Sequence, residues 1–133
     1  MAKQEDSFSA PLNVKEKQGE TEQDAHDNAA VLIYTTFPSL SDAKSAGAAL
    51  VEARLAACVN IIPQMTAIYL WEGKLEESSE AAMIVKTAAA RSQAVLEEIK
   101  RLHPYSLPAR LVLPVTGGGA DFLAWISKQC GAK

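Results

Sequence analysis

The sequence predicts an α+β fold in which helices pack on one face of an antiparallel four-stranded sheet. Three observations carry that prediction. The chain has 133 residues, one domain's worth, and 48% of them are apolar, enough for a core without metal or disulfide staples. Short β-branched runs alternate with helical patterns in the order strand, helix, strand, strand, helix, strand, helix. Two split strand–helix–strand units in that order build a ferredoxin-like βαββαβ sandwich, with the last helix added at its C-terminus.

The segment 31–36, Val-Leu-Ile-Tyr-Thr-Thr, reads as a buried strand stopped by Phe37-Pro38. Ser39 is a candidate N-cap, with Asp42 three residues on, and Ala43, Ala46, Gly47, Leu50 and Val51 follow at helical spacing, so a helix should reach about Leu55. Ala57 to Trp71 is a long extended segment. Pro63 interrupts it and lacks an N–H, which places it at a bulge, an edge or a bend. Glu72-Gly73-Lys74 makes a turn, and Glu80 to Thr87 returns as a strand with apolar residues on both faces. A second helix is expected from Ala88 to Leu102, with Val95, Ile99 and Leu102 on one stripe and Pro104 after its end. A fourth strand runs through Leu111-Val112-Leu113-Pro114-Val115. Gly117-Gly118-Gly119 is a loose connection, and a last helix from about Ala120 to Lys128 should bury Phe122, Trp125 and Ile126.

Ahead of this lies a segment of different character. Residues 1–30 carry three lysines and seven acids, and the rest of the chain is close to neutral. Met1, Phe8, Leu12 and Val14 are the only large apolar residues there, too few to offset the entropy of ordering it. Residues 1–29 are therefore expected to be a disordered acidic tail, and residues 30–133 the folded domain. An acidic docking arm is the functional alternative.

Composition removes several function classes. The net charge of -3 and scattered bases argue against nucleic acid as a partner. No stretch approaches the ~18 apolar residues of a membrane span. The N-terminus has no apolar core of a secretory signal, so a cytoplasmic setting with reduced thiols is expected. There is no nucleophile elbow, no P-loop and no metalloprotease helix motif, and no carboxylate pair is visible, so an enzyme is the least supported class.

Few residues remain to carry chemistry. His103 ends the second helix, where its ring suits the last carbonyls, with metal ligation as the alternative. Cys58 lies in an apolar strand, where a free thiol packs as a small hydrophobe or binds metal, and Cys130 near the C-terminus reads as incidental. Glu76, Glu77 and Glu80 read as solvated charge around the hairpin turn. Tyr69 and Trp71 point the same way along one strand. They either pack under a helix or, the favoured reading, sit in a subunit interface. The sheet's edge strands need covering, and Ile61 to Trp71 has no charge to protect it, so neighbouring chains should pair with it and close a ring.

Several segments together carry a family likeness. They are Thr36 with Pro38, Leu-Ala-Ala-Cys-Val-Asn-Ile-Ile-Pro at 55–63, Ile-Tyr-Leu-Trp-Glu-Gly-Lys-Leu-Glu at 68–76, and Lys86-Thr87. His103-Pro104-Tyr105 with Pro108, Leu113-Pro114-Val115 and Phe-Leu-Ala-Trp-Ile at 122–126 complete the set. Together they resemble the CutA1 family, the divalent-cation tolerance proteins, over about residues 31–128. The resemblance implies a homotrimer built like the PII signalling proteins and a cytosolic role in tolerance of copper and other divalent cations. On the family motif and the softness of thiols, His103 and Cys58 become the candidate metal ligands. Copper-binding members can offer a cysteine in the first strand and a His-His pair before Pro-Tyr. Here those positions hold Thr35, Leu102 and His103. Members also often carry acids where this chain has Ser106 and Ala109. Weak, non-stoichiometric or symmetry-dependent copper binding is therefore expected. The alternatives are a PII-like sensor taking a small anion or nucleotide between subunits, and an adaptor trimer without a ligand.

Overall fold

A computed structural model describes residues 29–131 of the chain. The acidic tail expected over residues 1–29 lies, but for Ala29, outside the described residues. The elements are β1 (Ala30–Phe37), α1 (Leu40–Glu52), β2 (Cys58–Trp71), β3 (Lys74–Ala88), α2 (Ser92–Leu102), β4 (Arg110–Pro114) and α3 (Ala120–Gln129). The strands form one antiparallel sheet in the order β2-β3-β1-β4, the expected ferredoxin-like topology, with β2 and β4 at the edges.

Local chemistry explains the boundaries. Ser39 caps α1, its Oγ accepting from the Asp42 N–H at 3.0 Å. The helix stops three residues short of Leu55 because Arg54 turns left-handed (φ 61°). The Leu55 N–H then reaches back to the Leu50 carbonyl at 3.0 Å and the Arg54 N–H to that of Val51 at 3.0 Å, a Schellman closure. β3 starts six residues earlier than expected, at Lys74. Glu72 (φ 51°) and Gly73 (φ 81°) make a two-residue turn with both centres left-handed, whose twist carries pairing on without a break. Trp71 thus faces Lys74 directly, and Glu76, Glu77 and Glu80 belong to a strand rather than a turn. Pro63 does mark a bulge: the register shifts between Ile62 and Met65, with Gln64 at φ 60°. The second helix begins four residues late. Its expected first turn is the end of β3 and a short 3-10 turn, because the Ala89 N–H extends the ladder to the Ala29 carbonyl at 2.7 Å.

The two sheet faces differ. Val31, Ile33 and Phe37 of β1 and Ala81, Met83 and Val85 of β3 point one way, into a core shared with Ala43, Ala46 and Leu50 of α1 and Val95 and Ile99 of α2. Gly47 is needed there: a Cβ on it would stand 2.8 Å from Val59 Cγ2. The opposite face is covered at one end only. There α3 builds a smaller cluster of Ala30, Ala57, Ala88, Ile126 and Cys130. Of the three apolar residues expected to be buried by this helix, Ile126 is, while Phe122 and Trp125 are half-buried and stacked on each other. Cys130, read as incidental, is fully buried: its thiol meets Thr87 Oγ1 at 3.4 Å. Past α3, Leu111, Leu113 and Ile62 lie exposed on this second face.

Candidate functional site

The chain leaving α2 is fastened to the end of β1 by His103. Its ring stacks on Phe37 with centroids 4.5 Å apart. A backbone amide can only donate and a carbonyl can only accept. The Tyr105 N–H at 3.1 Å therefore makes Nδ1 the acceptor, and the Thr36 carbonyl at 2.5 Å makes Nε2 the donor. His103 thus holds the loop 104–109 over the rim of the sheet, with the bond reaching into β1 rather than back to its own helix. Tyr105 lies against the imidazole at 5.0 Å.

Between this loop and the arm made by β2 and β3 lies a cleft of about 740 Å³, lined by Thr36, Tyr69, Trp71, Glu76, Glu80 and Tyr105 among others. Strand alternation puts these groups together. Tyr69 is directly opposite Glu76, and Thr36 opposite Ala82, all on the face away from α1 and α2. Glu80 is only 8% exposed and accepts from Ser78 Oγ at 3.2 Å. Among the described residues no base pairs with it. Burial, then the charge of Glu80 and the neighbouring Tyr69, and finally a hydrogen bond to Glu80 push the Tyr105 phenol above its ordinary range.

The two candidate metal ligands stand apart. Cys58 faces Lys86, which faces Leu32, whereas His103 binds β1 at Thr36. Four residues of strand, about 13 Å, separate the two sites along the sheet, so one chain does not bring them to one ion. Both His103 nitrogens already have backbone partners. Cys58 is half-buried at the start of an edge strand rather than in the core. Burial raises its thiol above the ordinary range, Lys86 acts the other way, and Cys130 raises it further. A raised thiol offers less thiolate to a metal at neutral pH. Among the described residues no group of three or more His, Cys, Asp or Glu is placed to hold an ion.

Comparison with known proteins places this arrangement. Residues 31–129 match CutA1, the CutA1 divalent ion tolerance protein. The chain belongs to the CutA1 family. A divalent-cation tolerance protein CutA from Pectobacterium atrosepticum is 45% identical over 98 residues, 74% of this chain and 89% of that one. One from Escherichia coli is 42% identical over 106 residues, 80% of this chain and 95% of that one. Among solved structures, CutA from Xylella fastidiosa superposes with a TM-score of 0.76 at 35% identity, over 77% of this chain and 98% of that one. The periplasmic divalent cation tolerance protein CutA from Archaeoglobus fulgidus gives 0.74 at 40% identity, over 76% and 98%. No helix among the described residues is long and apolar enough to cross a membrane.

In this CutA1-family chain Tyr69 and Trp71 share one face of the arm and remain 42% and 51% exposed. Neither packs under a helix. Sequence reasoning found these two rings but missed their companions Glu80 and Tyr105. The signal was present: Tyr69 and Trp71 alternate, and across a tight hairpin Glu76 and Glu80 fall on the same face. Tyr105 carried no such signal, because a loop has no period.

Proposed function

We propose that the chain works in divalent metal tolerance, as its relatives' names suggest, and that it does so as a homotrimer. The observation that carries the trimer is the half-covered sheet. Leu111 and Leu113 of one edge strand and Ile62 of the other expose apolar side chains on the face that α3 leaves open. Tyr69 and Trp71 continue that surface along the arm. Three copies arranged around an axis would bury it and pair both edges. Sedimentation at micromolar concentration tests this: a mass of three chains is expected, and a mass of one chain sinks it.

Copper is the metal proposed, bound weakly by Cys58 and His103 of neighbouring or symmetry-related chains. His103 must give up the Tyr105 N–H to offer a lone pair, and Cys58 must lose a proton, so the affinity is expected to be low. Calorimetric titration of Cu(II), and of Cu(I) under reductant, checks the ligands. Unchanged affinity in His103→Ala and in Cys58→Ser would remove both. Two free thiols suit a reducing, cytosolic compartment. Fractionation of cells producing the full chain tests that placement.

A second reading, a sensor taking a small ligand between subunits, is favoured by one observation: the cleft beside Tyr69 and Trp71.

A further inference from the structure

The lining of that cleft limits what it can take. It carries two carboxylates, Glu76 and Glu80, and no Lys, Arg or His. A phosphate or nucleotide would enter with like charge and meet no base. A hard divalent ion wants six or more oxygens at fixed distances, and no cluster of three or more ligating side chains exists among the described residues. What the cleft has is one deeply buried carboxylate without a basic partner, and the rings of Tyr69, Trp71 and Tyr105 around it. Aromatic faces attract cations that are too weakly hydrated to insist on water, and alkylammonium groups are the main case.

We infer that the cleft binds an organic cation of the alkylammonium class, its charge against Glu80 and its alkyl surface against Tyr69, Trp71 and Tyr105. Three features build the site. Ser78 Oγ donates to Glu80 Oε2 and the Tyr105 hydroxyl also bonds this carboxylate, so its negative charge is held in place beside the rings. The His103 latch fixes the Tyr105 backbone through its amide, and the ring leans on the imidazole at 5.0 Å while its hydroxyl bonds Glu80. The register through the hairpin, Trp71 opposite Lys74 and Tyr69 opposite Glu76, keeps both aromatic residues of the arm on the side of the cleft. A volume of about 740 Å³ admits a ligand well beyond the size of a single ammonium head.

The inference deepens the sensor reading and rests on it, while the trimer stands or falls by its mass alone. A neighbouring chain packed on Tyr69 and Trp71 either roofs the cleft or fills it. Calorimetric titration of the full wild-type chain with choline, beside its neutral isostere dimethylbutanol, is the test. Saturable choline binding is expected, at least about tenfold tighter than dimethylbutanol, since the ring and carboxylate contacts act on the charge. Equal binding of the two overturns the inference, as does no choline binding at all, which would mean the cleft is filled in the assembly. Displacement of bound choline by stoichiometric Mg(II) or Cu(II) overturns it in favour of a metal site. Glu80→Gln, which removes the charge attracting the ammonium head, should weaken choline about tenfold or more with the mass and melting temperature retained. Should Glu80→Gln fail to fold, Tyr105→Leu serves as the second variant. Choline-dependent shifts of the Trp71 indole N–H in the wild-type NMR spectrum locate the ligand without any substitution, and an unmoved Trp71 signal on binding counts against the cleft.

Discussion

At the scale of single residues, His103 acts as a fastener between α2, β1 and the loop that follows. Removing its ring loses a stack on Phe37 and leaves the Thr36 carbonyl and the Tyr105 amide without their partner. Its burial makes those losses costly. His103→Ala should destabilise the protein by about 2–4 kcal/mol, in the presence of a metal chelator as in its absence. Urea unfolding at fixed protein concentration measures it, and a variant as stable as wild type would show that the latch is incidental. Cys58 yields a second expectation. Burial raises its folded thiol above the ordinary value, so its thiolate forms only at higher pH than a free cysteine's. The sign for stability follows: deprotonation favours the unfolded chain, so stability is lost as the pH climbs from the unfolded thiol's range through the raised range of the folded one. Alkylation of Cys58 by iodoacetamide, followed by peptide mass, should therefore lag a model thiol at pH 8 and approach it only at higher pH. Equal rates at pH 8 would contradict the burial.

At the scale of elements, α1 and the arm illustrate opposite uses of backbone freedom. Gly47 lies inside α1, where alanine would ordinarily improve the helix by about 1 kcal/mol. Here an added methyl would stand 2.8 Å from Val59 Cγ2 and 3.3 Å from Met83 Sδ. Both neighbours belong to the packed side of the sheet, so the clash should win. Gly47→Ala is expected to cost about 1–3 kcal/mol net, and a rise in melting temperature would show that the strand yields easily. In the arm, left-handed Gln64 lets β2 bend past Pro63 and keep its partner. Pairing resumes at Met65, whose sulfur receives the Tyr34 hydroxyl at 3.5 Å, and continues to the turn. That continuity carries Tyr69 and Trp71 out beyond the body of the domain.

At the scale of the whole molecule, the exposed arm and the open half of the sheet are the features an assembly must resolve. Tyr69→Ala combined with Trp71→Ala should dissociate or unfold the trimer, because buried aromatic contacts of this kind typically contribute about 2 kcal/mol or more each. Light scattering reads the mass, and an intact trimer would remove the role given to these two rings. The acidic segment has the opposite expectation. A chain lacking residues 1–28 keeps Ala29, whose carbonyl receives the Ala89 N–H, and should retain the wild-type mass and melting temperature. A large loss on truncation would mean that the segment docks on the body.

Periodicity made much of this molecule legible. The strand order, the N-cap at Ser39, the bulge at Pro63 and the α2 stripe through Val95 and Ile99 all follow from side-chain alternation, helical spacing and the missing N–H of proline. The family is legible in the motifs around Cys58, Trp71 and His103 for the same reason: they are local strings. What a string does not hold is which strings meet. Glu80 reads as surface charge until β3 is paired back to the turn and Tyr105 is folded over it. Cys130 reads as a frayed end until α3 lays it on Thr87. Cys58 and His103 read only as two candidate ligands, and it is the sheet that places them at different points along β1's length. Burial, partnership and distance between far-apart residues are set by register and by the crossing of loops over the sheet, and these exist only once the chain is folded.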